Sequence, residues 1–427
     1  MDVEPTHLEA HGSAAPKLSN PSVWLISIAV GIAYYFSNPE PNYFYNYTFR
    51  IANRLLVPAV GLIEEPPPWL NEFVPFEGYY YSVFPLGSVV TMLPAAGAYR
   101  LGLISDMPAA FLAALCAAVA SLFFLLIARN YQIGKARTIV MTAAFLFGTW
   151  TWTNLTLGGA WQLALGFALV GGLGSIYFSV FNRRPFLAGV FFALAFGNRT
   201  EVLLTAPILM YLLTRQTGEG DDHDLDARTA DFDRQWIAAA FRRLALFCSV
   251  PFLLGVATLI YNYIRFCSFT DFGYSRIPGV LEEPWYQHGI FSVRYIPGQL
   301  WEMFLKPWEY HQSPPYLMPN GFSSSVLMSS PFILFAARFG SRDRVLKYLS
   351  WLAILLMCVI LWMHGNSGGW QFGYRYAMVC LPWLFVIRLE SSPRKISRLE
   401  WLAYAFSIGV NAYATWLFHW SGYLRPW

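Results

Sequence analysis

Carboxylates, guanidinium groups and aromatic rings gather in three polar stretches of an otherwise apolar chain. The first, residues 38–107, holds Glu40, Glu64, Glu65, Glu72 and Glu77, and Glu77 opens the run Glu77-Gly78-Tyr79-Tyr80-Tyr81-Ser82. A carboxylate beside a row of tyrosines suits a general base meeting a hydroxylated ligand, since sugar rings stack on aromatic faces and a carboxylate accepts a hydroxyl proton. The same residues would also serve as an interfacial aromatic belt with solvated acids. The second stretch, residues 264–322, carries Arg276, Arg294 and Lys306 together with Trp285, His288 and His311. Arg offers phosphate a planar fork of donors and Lys a point charge, so these three could hold a lipid-linked phosphate or simply anionic headgroups. The third, residues 364–374, is rich in glycine (Gly365, Gly368, Gly369, Gly373), which lets backbone approach a ligand closely. Trp370 and Tyr374 add stacking surfaces there, and Arg375 places a cation at the head of the next apolar run. Between two other apolar runs, Asn198-Arg199-Thr200-Glu201 sets ionisable groups where they must pair with each other or face a ligand. No HxxxH or HxH spacing marks a metal site among His288, His311 and His364, and a divalent metal stays open as a cofactor.

The elements that must position these residues follow from composition. Of 427 residues, 56% are hydrophobic, 18% aromatic and 13% charged. An ordinary soluble protein is about 25% charged, so too little charge is present to coat water-exposed domains of this size, and the missing solvent is lipid. The five cysteines lie far apart, with no disulfide framework or CxxC pair, and nothing in the composition points to nucleic acid as a partner. In lipid every backbone group must be satisfied internally, so each apolar run near 20 residues reads as a helix. Such runs begin near residues 22, 108, 138, 161, 186, 202, 244, 323, 348, 375 and 400, giving about eleven spans. With a cytoplasmic tail at 1–21, the inside segments (129–137, 182–185, 215–243, 338–347 and 388–399 being the others) hold 19 of the 29 Lys and Arg residues, as the positive-inside rule requires. Counting 84–103 as a further span would invert everything after it. With Pro94 inside it and Arg100 near its end, that run predicts a broken juxtamembrane helix instead. The expected fold is therefore an all-α polytopic bundle, residues 22–427 forming one membrane domain, with outer loops 38–107, 264–322 and 364–374 and an acidic, solvated cytoplasmic loop at 215–243.

Four pieces of the chain resemble the GT-C superfamily of polytopic glycosyltransferases, in particular the group around protein O-mannosyltransferases and the lipid A aminoarabinose transferase. They are Gly78-Tyr79-Tyr80-Tyr81-Ser82-Val83-Phe84-Pro85-Leu86-Gly87 ahead of the juxtamembrane run, residues 196–207, residues 272–275 and residues 368–382. The resemblance implies transfer of a sugar from a polyprenyl-phosphate donor to a glycan, lipid or protein acceptor, with inversion, a first-loop carboxylate being the base. Glu40, Glu72 and Glu77 are the candidates for it. On this reading Arg276, Arg294, Lys306 and Arg375 bind donor phosphate, and Tyr80, Tyr81, Trp285, His288, Trp370 and Tyr374 line the sugar and acceptor site. The expected setting is a bacterial inner membrane, with the site facing outward. Two other readings are a transporter or flippase for a lipid-linked sugar and a GT-C-like binding protein without turnover. The first predicts ionisable residues deep in mid-span and paired halves, and neither is visible in the sequence.

Overall fold

The computed structural model describes residues 17–215 and 229–424 and is mostly helical. In chain order the helices are α1 (Asn20–Tyr35), α2 (Tyr47–Leu55), α3 (Leu86–Val90), α4 (Leu93–Arg100), α5 (Ala109–Ala128), α6 (Lys135–Phe147), α7 (Thr151–Leu157), α8 (Ala160–Ile176), α9 (Pro185–Asn198), α10 (Ala206–Thr214) and α11 (Thr229–Phe266). After the second polar stretch, which contains α12 (Ile296–Leu300), come α13 (Val326–Ser329), α14 (Arg344–Met363), α15 (Leu381–Glu390) and α16 (Arg398–His419). Among the described residues, four helical segments are long and apolar enough to cross a membrane: Ala109–Ala128, Ala160–Phe181, Gln235–Phe266 and Arg344–Met363. The other apolar runs carry shorter or interrupted helices, such as those with 3-10 turns at Thr200–Thr205 and Arg375–Cys380 ahead of α10 and α15, or, in the 22-residue α16, a long but less apolar one.

Helices α5, α8 and α9 form the centre of the bundle, with α1 packed on α5 and α11 on α9. Small residues permit this. A Cβ at Gly189 of α9 would lie 2.1 Å from the Phe247 carbonyl oxygen of α11, so only glycine lets these two backbones meet. The run 84–103 is split at Thr91–Met92 into α3 and α4, as its proline and glycines predict.

Charged residues from the cation-rich segments meet at one end of the bundle. Glu400, fully buried, accepts from Arg137 (2.9 Å), Arg338 (2.6 Å) and Arg388 (3.2 Å), and Arg215 pairs with Asp343 at 2.7 Å. A buried carboxylate surrounded by guanidinium groups locks helix ends together, because breaking such a pair strands an uncompensated charge at a cost of about 3–5 kcal/mol.

Two expectations are corrected. The acidic segment 215–243 is not a loop throughout: residues 216–228 lie outside the described residues, but α11 begins at Thr229, so the second half continues directly into the long apolar helix. The first polar stretch is not purely helical either. Phe73–Phe76 (β1) and Tyr79–Ser82 (β2) form an antiparallel hairpin in which Phe73 faces Ser82 and Phe76 faces Tyr79. Glu77 (φ 46°) and Gly78 (φ 81°) make its two-residue turn, the positive-φ pair that matches the twist of the flanking strands. A second small pair joins Glu309–Tyr310 (β3) to Leu317–Met318 (β4).

Candidate functional site

The hairpin and the start of α8 fix the central carboxylate. Glu72 immediately precedes β1, and its Oε2 accepts the indole N–H of Trp161 at 2.8 Å. Trp161, the second residue of α8, is held by Tyr45 (ring centroids 5.0 Å apart) and by Tyr47 edge-on at 5.2 Å. Surrounded by these rings, Glu72 is pushed up to about 7 by burial, while the Trp161 N–H and the Arg375 guanidinium pull the other way and the charge of Glu283 adds to the rise. The group is thus poised to change protonation near neutral pH, which the 4.5 of an ordinary glutamate does not allow.

Two cavities share Glu72, Trp161, Tyr274 and Tyr376 as their common wall. The larger, about 520 Å³, is lined mostly by apolar residues (Val83, Phe84, Pro85, Ile290, Phe291, Ile360, Leu361), with Arg199, Glu201 and His364 among them. Close backbone approach builds its floor: a Cβ at Gly87 of α3 would stand 2.4 Å from the backbone of Gly197 in α9, so α3 rests directly on the helix end that carries Arg199. Arg199 pairs with Glu201 at 2.9 Å and lies over the Tyr376 ring at 4.7 Å. Burial holds His364 below its usual range, and its Nδ1–H donates to the Asn366 carbonyl at 2.7 Å. Its Nε2 faces the Tyr286 hydroxyl at 3.4 Å, and Tyr286 in turn bonds Tyr274 at 2.9 Å.

The smaller cavity, about 200 Å³, is lined by Tyr43, Asn71, Gln162, Glu283, Trp370 and Arg375. Arg375 is buried, donates only to the Trp370 carbonyl at 3.3 Å, and forms no ion pair among the described residues. Its Nε has no hydrogen-bond partner, nor has the equally buried Oε1 of Gln162. Glu72 and Glu283 line the same cavity but neither bonds Arg375 directly, so an anionic ligand there would give the buried guanidinium a direct partner.

Among the residues singled out from sequence, the structure brings Glu72, Arg375 and Trp370 together and places the others elsewhere. Glu40 is exposed beyond the end of α1, and Glu77 is exposed at the hairpin tip; neither lines the two cavities. Arg276 is bound to Asp271 at 2.6 Å and lies over Phe76, and Lys306 is bound to Glu302 at 2.9 Å, so both cations are already neutralised outside the cavities. Arg294 is exposed beside His288, itself exposed. The alternation of β2 carries Tyr81 into a separate apolar cluster under Phe266, while Tyr80 bonds through its backbone to Leu62. Tyr374 is fully buried, its hydroxyl spent on Gln299 at 2.8 Å, and Trp285 sits at the surface with its N–H on Glu283. Arg199 and Glu201 pair as one of the two sequence readings had it, yet they also line the large cavity. Sequence reasoning gave no role to Trp161, whose only signal was a ring at the mouth of an apolar run, nor singly to Tyr274 and Tyr376, which lie within the stretches 272–275 and 368–382 that carry the resemblance. Among the described residues no group of three or more His, Cys, Asp or Glu side chains could hold a metal ion. Comparisons of the chain with protein-family models, with curated proteins and with solved structures give no match.

Proposed function

We propose that this chain is a polytopic glycosyltransferase of the GT-C type, which takes a sugar from a polyprenyl-phosphate donor and transfers it, with inversion, to an acceptor hydroxyl. The observation that carries this reading is the placement of Glu72, a carboxylate poised near pH 7, in the wall shared by a larger, mostly apolar cavity and a smaller one lined by the Arg375 guanidinium, which makes no direct ion pair among the described residues. In this account Glu72 takes the proton of the acceptor hydroxyl as its oxygen attacks the anomeric carbon. The bond from that carbon to the phosphate oxygen breaks, and the electron pair leaves with the phosphate. Arg375 balances the charge that collects there, and the mostly apolar lining of the large cavity accepts the first prenyl units. Tyr43 and Trp370 supply ring faces for the sugars. About eleven membrane segments hold the site toward the outer side of a bacterial inner membrane, the side opposite the cation-rich end. Protein purified into nanodiscs and given a polyprenyl-phosphate sugar together with a bacterial envelope extract as the source of acceptor hydroxyls should release polyprenyl phosphate. No release with any of a panel of such donors would overturn the reading.

A further inference from the structure

We propose that the acceptor is an oligosaccharide, and that a third cavity of about 430 Å³ holds the sugars behind the one that reacts. This rests on the glycosyltransferase reading and names the acceptor class within it. Trp285 and Trp301, 43% and 52% exposed, both line this cavity. Exposed indoles near a membrane ordinarily anchor in the headgroup region, where their neighbours are lipid. Here the remaining wall is polar: Arg294, Glu302, Asn366 and Ser367 face the same space. A lipid tail would leave those groups unpaired, whereas a carbohydrate needs both an aromatic face for its C–H surface and donors and acceptors for its hydroxyls. The polar groups are held in place. Glu302 is fixed by Lys306 at 2.9 Å and by the Ser323 hydroxyl, while Arg294 has no ion pair among the described residues and so keeps donors free.

The third cavity is tied to the reacting site by two contacts. Asn366 lines both it and the small cavity beside Glu72. Trp285 donates its N–H to Glu283 at 2.7 Å, and Glu283 lines the small cavity too. Gly365, which lines the third cavity, packs its backbone on Trp285: a Cβ there would lie 2.3 Å from the Trp285 carbonyl oxygen, and Gln299 holds the Gly365 carbonyl at 3.0 Å. A glycan whose terminal hydroxyl reaches Glu72 would therefore run past Asn366 onto the two indoles. Glycosyl transfer then forms a new carbon–oxygen bond at that terminal hydroxyl, releases the donor phosphate with the bonding electron pair, and leaves the hydroxyl proton on Glu72.

The test uses the full chain in nanodiscs with a polyprenyl-phosphate sugar and two acceptor series, glucan and mannan oligosaccharides from mono- to hexasaccharide. Expected is a KM that falls with acceptor length, together with quenching of indole fluorescence by the hexasaccharide of the accepted series. Trp285→Ala and Trp301→Ala should each raise the hexasaccharide KM about three- to tenfold, the size of one aromatic stacking contact, and Trp301→Ala should raise the monosaccharide KM less. A KM independent of acceptor length, or one equal in wild type and both variants, would overturn the inference. Polyprenyl phosphate release with a bacterial envelope extract as the acceptor source is read in parallel: if it is present while neither series is accepted, the oligosaccharide inference falls alone. If it is absent, the glycosyltransferase reading falls and takes the inference with it.

Discussion

The environment of Glu72 makes a prediction in which activity and stability move in opposite directions. Burial raises this carboxyl from 4.5 to about 7, so the folded protein binds a proton more tightly than the unfolded chain. Between those two values the folded state holds more protons, and stability therefore falls as pH rises through the window, the reverse of a salt-bridged carboxylate. Each pKa unit corresponds to about 1.4 kcal/mol, so the ionised Glu72 costs the fold about 3 kcal/mol at pH 8 and about 1 kcal/mol at pH 5. Glu72→Gln keeps an oxygen for the Trp161 N–H and removes the ionisation, so it should stabilise the protein by up to those amounts, with the gain shrinking toward acid pH. Thermal unfolding of both proteins in detergent across pH 5–8 measures this. The same carboxylate must be ionised to act as a base, so wild-type transfer should rise about tenfold per pH unit below 7 and level off above it, while Glu72→Gln should lose about 10²- to 10⁴-fold in rate. A Glu72→Gln variant that is no more stable at pH 8 than at pH 5 relative to wild type, or a transfer rate flat from pH 5 to 8, would refute the reasoning.

Arg375→Gln should lower kcat/KM for the polyprenyl-phosphate donor about ten- to a hundredfold, the value of one charge-assisted hydrogen bond, measured by phosphate-lipid release; an unchanged value would remove Arg375 from the phosphate site. Gly87→Ala should destabilise the protein by about 1–3 kcal/mol through the clash of α3 with the Gly197 backbone, whereas Gly97→Ala, which meets nothing within 4 Å in α4, should be neutral or slightly stabilising by unfolding midpoint. Labelling of Arg100→Cys and Lys135→Cys by a membrane-impermeant thiol reagent should report opposite faces, and labelling of both from one face would contradict the juxtamembrane placement of α3 and α4.

What the sequence disclosed and what it hid divide along physical lines. The break in the run 84–103 was readable from its proline and glycines, and α3 and α4 lie on either side of it at Thr91–Met92, while of about eleven expected spans four among the described residues are long and apolar enough to cross a membrane. The division of one long polar stretch from the next was readable because backbone satisfaction in lipid leaves few alternatives. The hairpin was hidden because Phe73–Ser82 mixes rings on both faces, so the two-residue alternation of a strand is masked; Glu77-Gly78, a pair able to take positive φ, was its faint signal. That hairpin decides the carboxylates: it carries Glu77 out to solvent and leaves Glu72 at the root, where α8 presents Trp161. The choice among Glu40, Glu72 and Glu77 thus depended on contacts between residues nearly ninety positions apart, which no local pattern encodes. Likewise Arg276 and Lys306 look from sequence like free cations, and only their local ion pairs with Asp271 and Glu302 set them apart from Arg375.

The central claim is that one carboxylate of the first polar stretch, Glu72, acts as the base of a glycosyl transfer. Its most direct test compares sugar transfer from a polyprenyl-phosphate donor by Glu40→Gln, Glu72→Gln and Glu77→Gln proteins, each first shown to fold by its unfolding midpoint. The account predicts near-wild-type transfer for the Glu40 and Glu77 variants and a loss of at least about 10²-fold for Glu72→Gln. Full transfer by Glu72→Gln, or an equal loss in either of the other two, would contradict it.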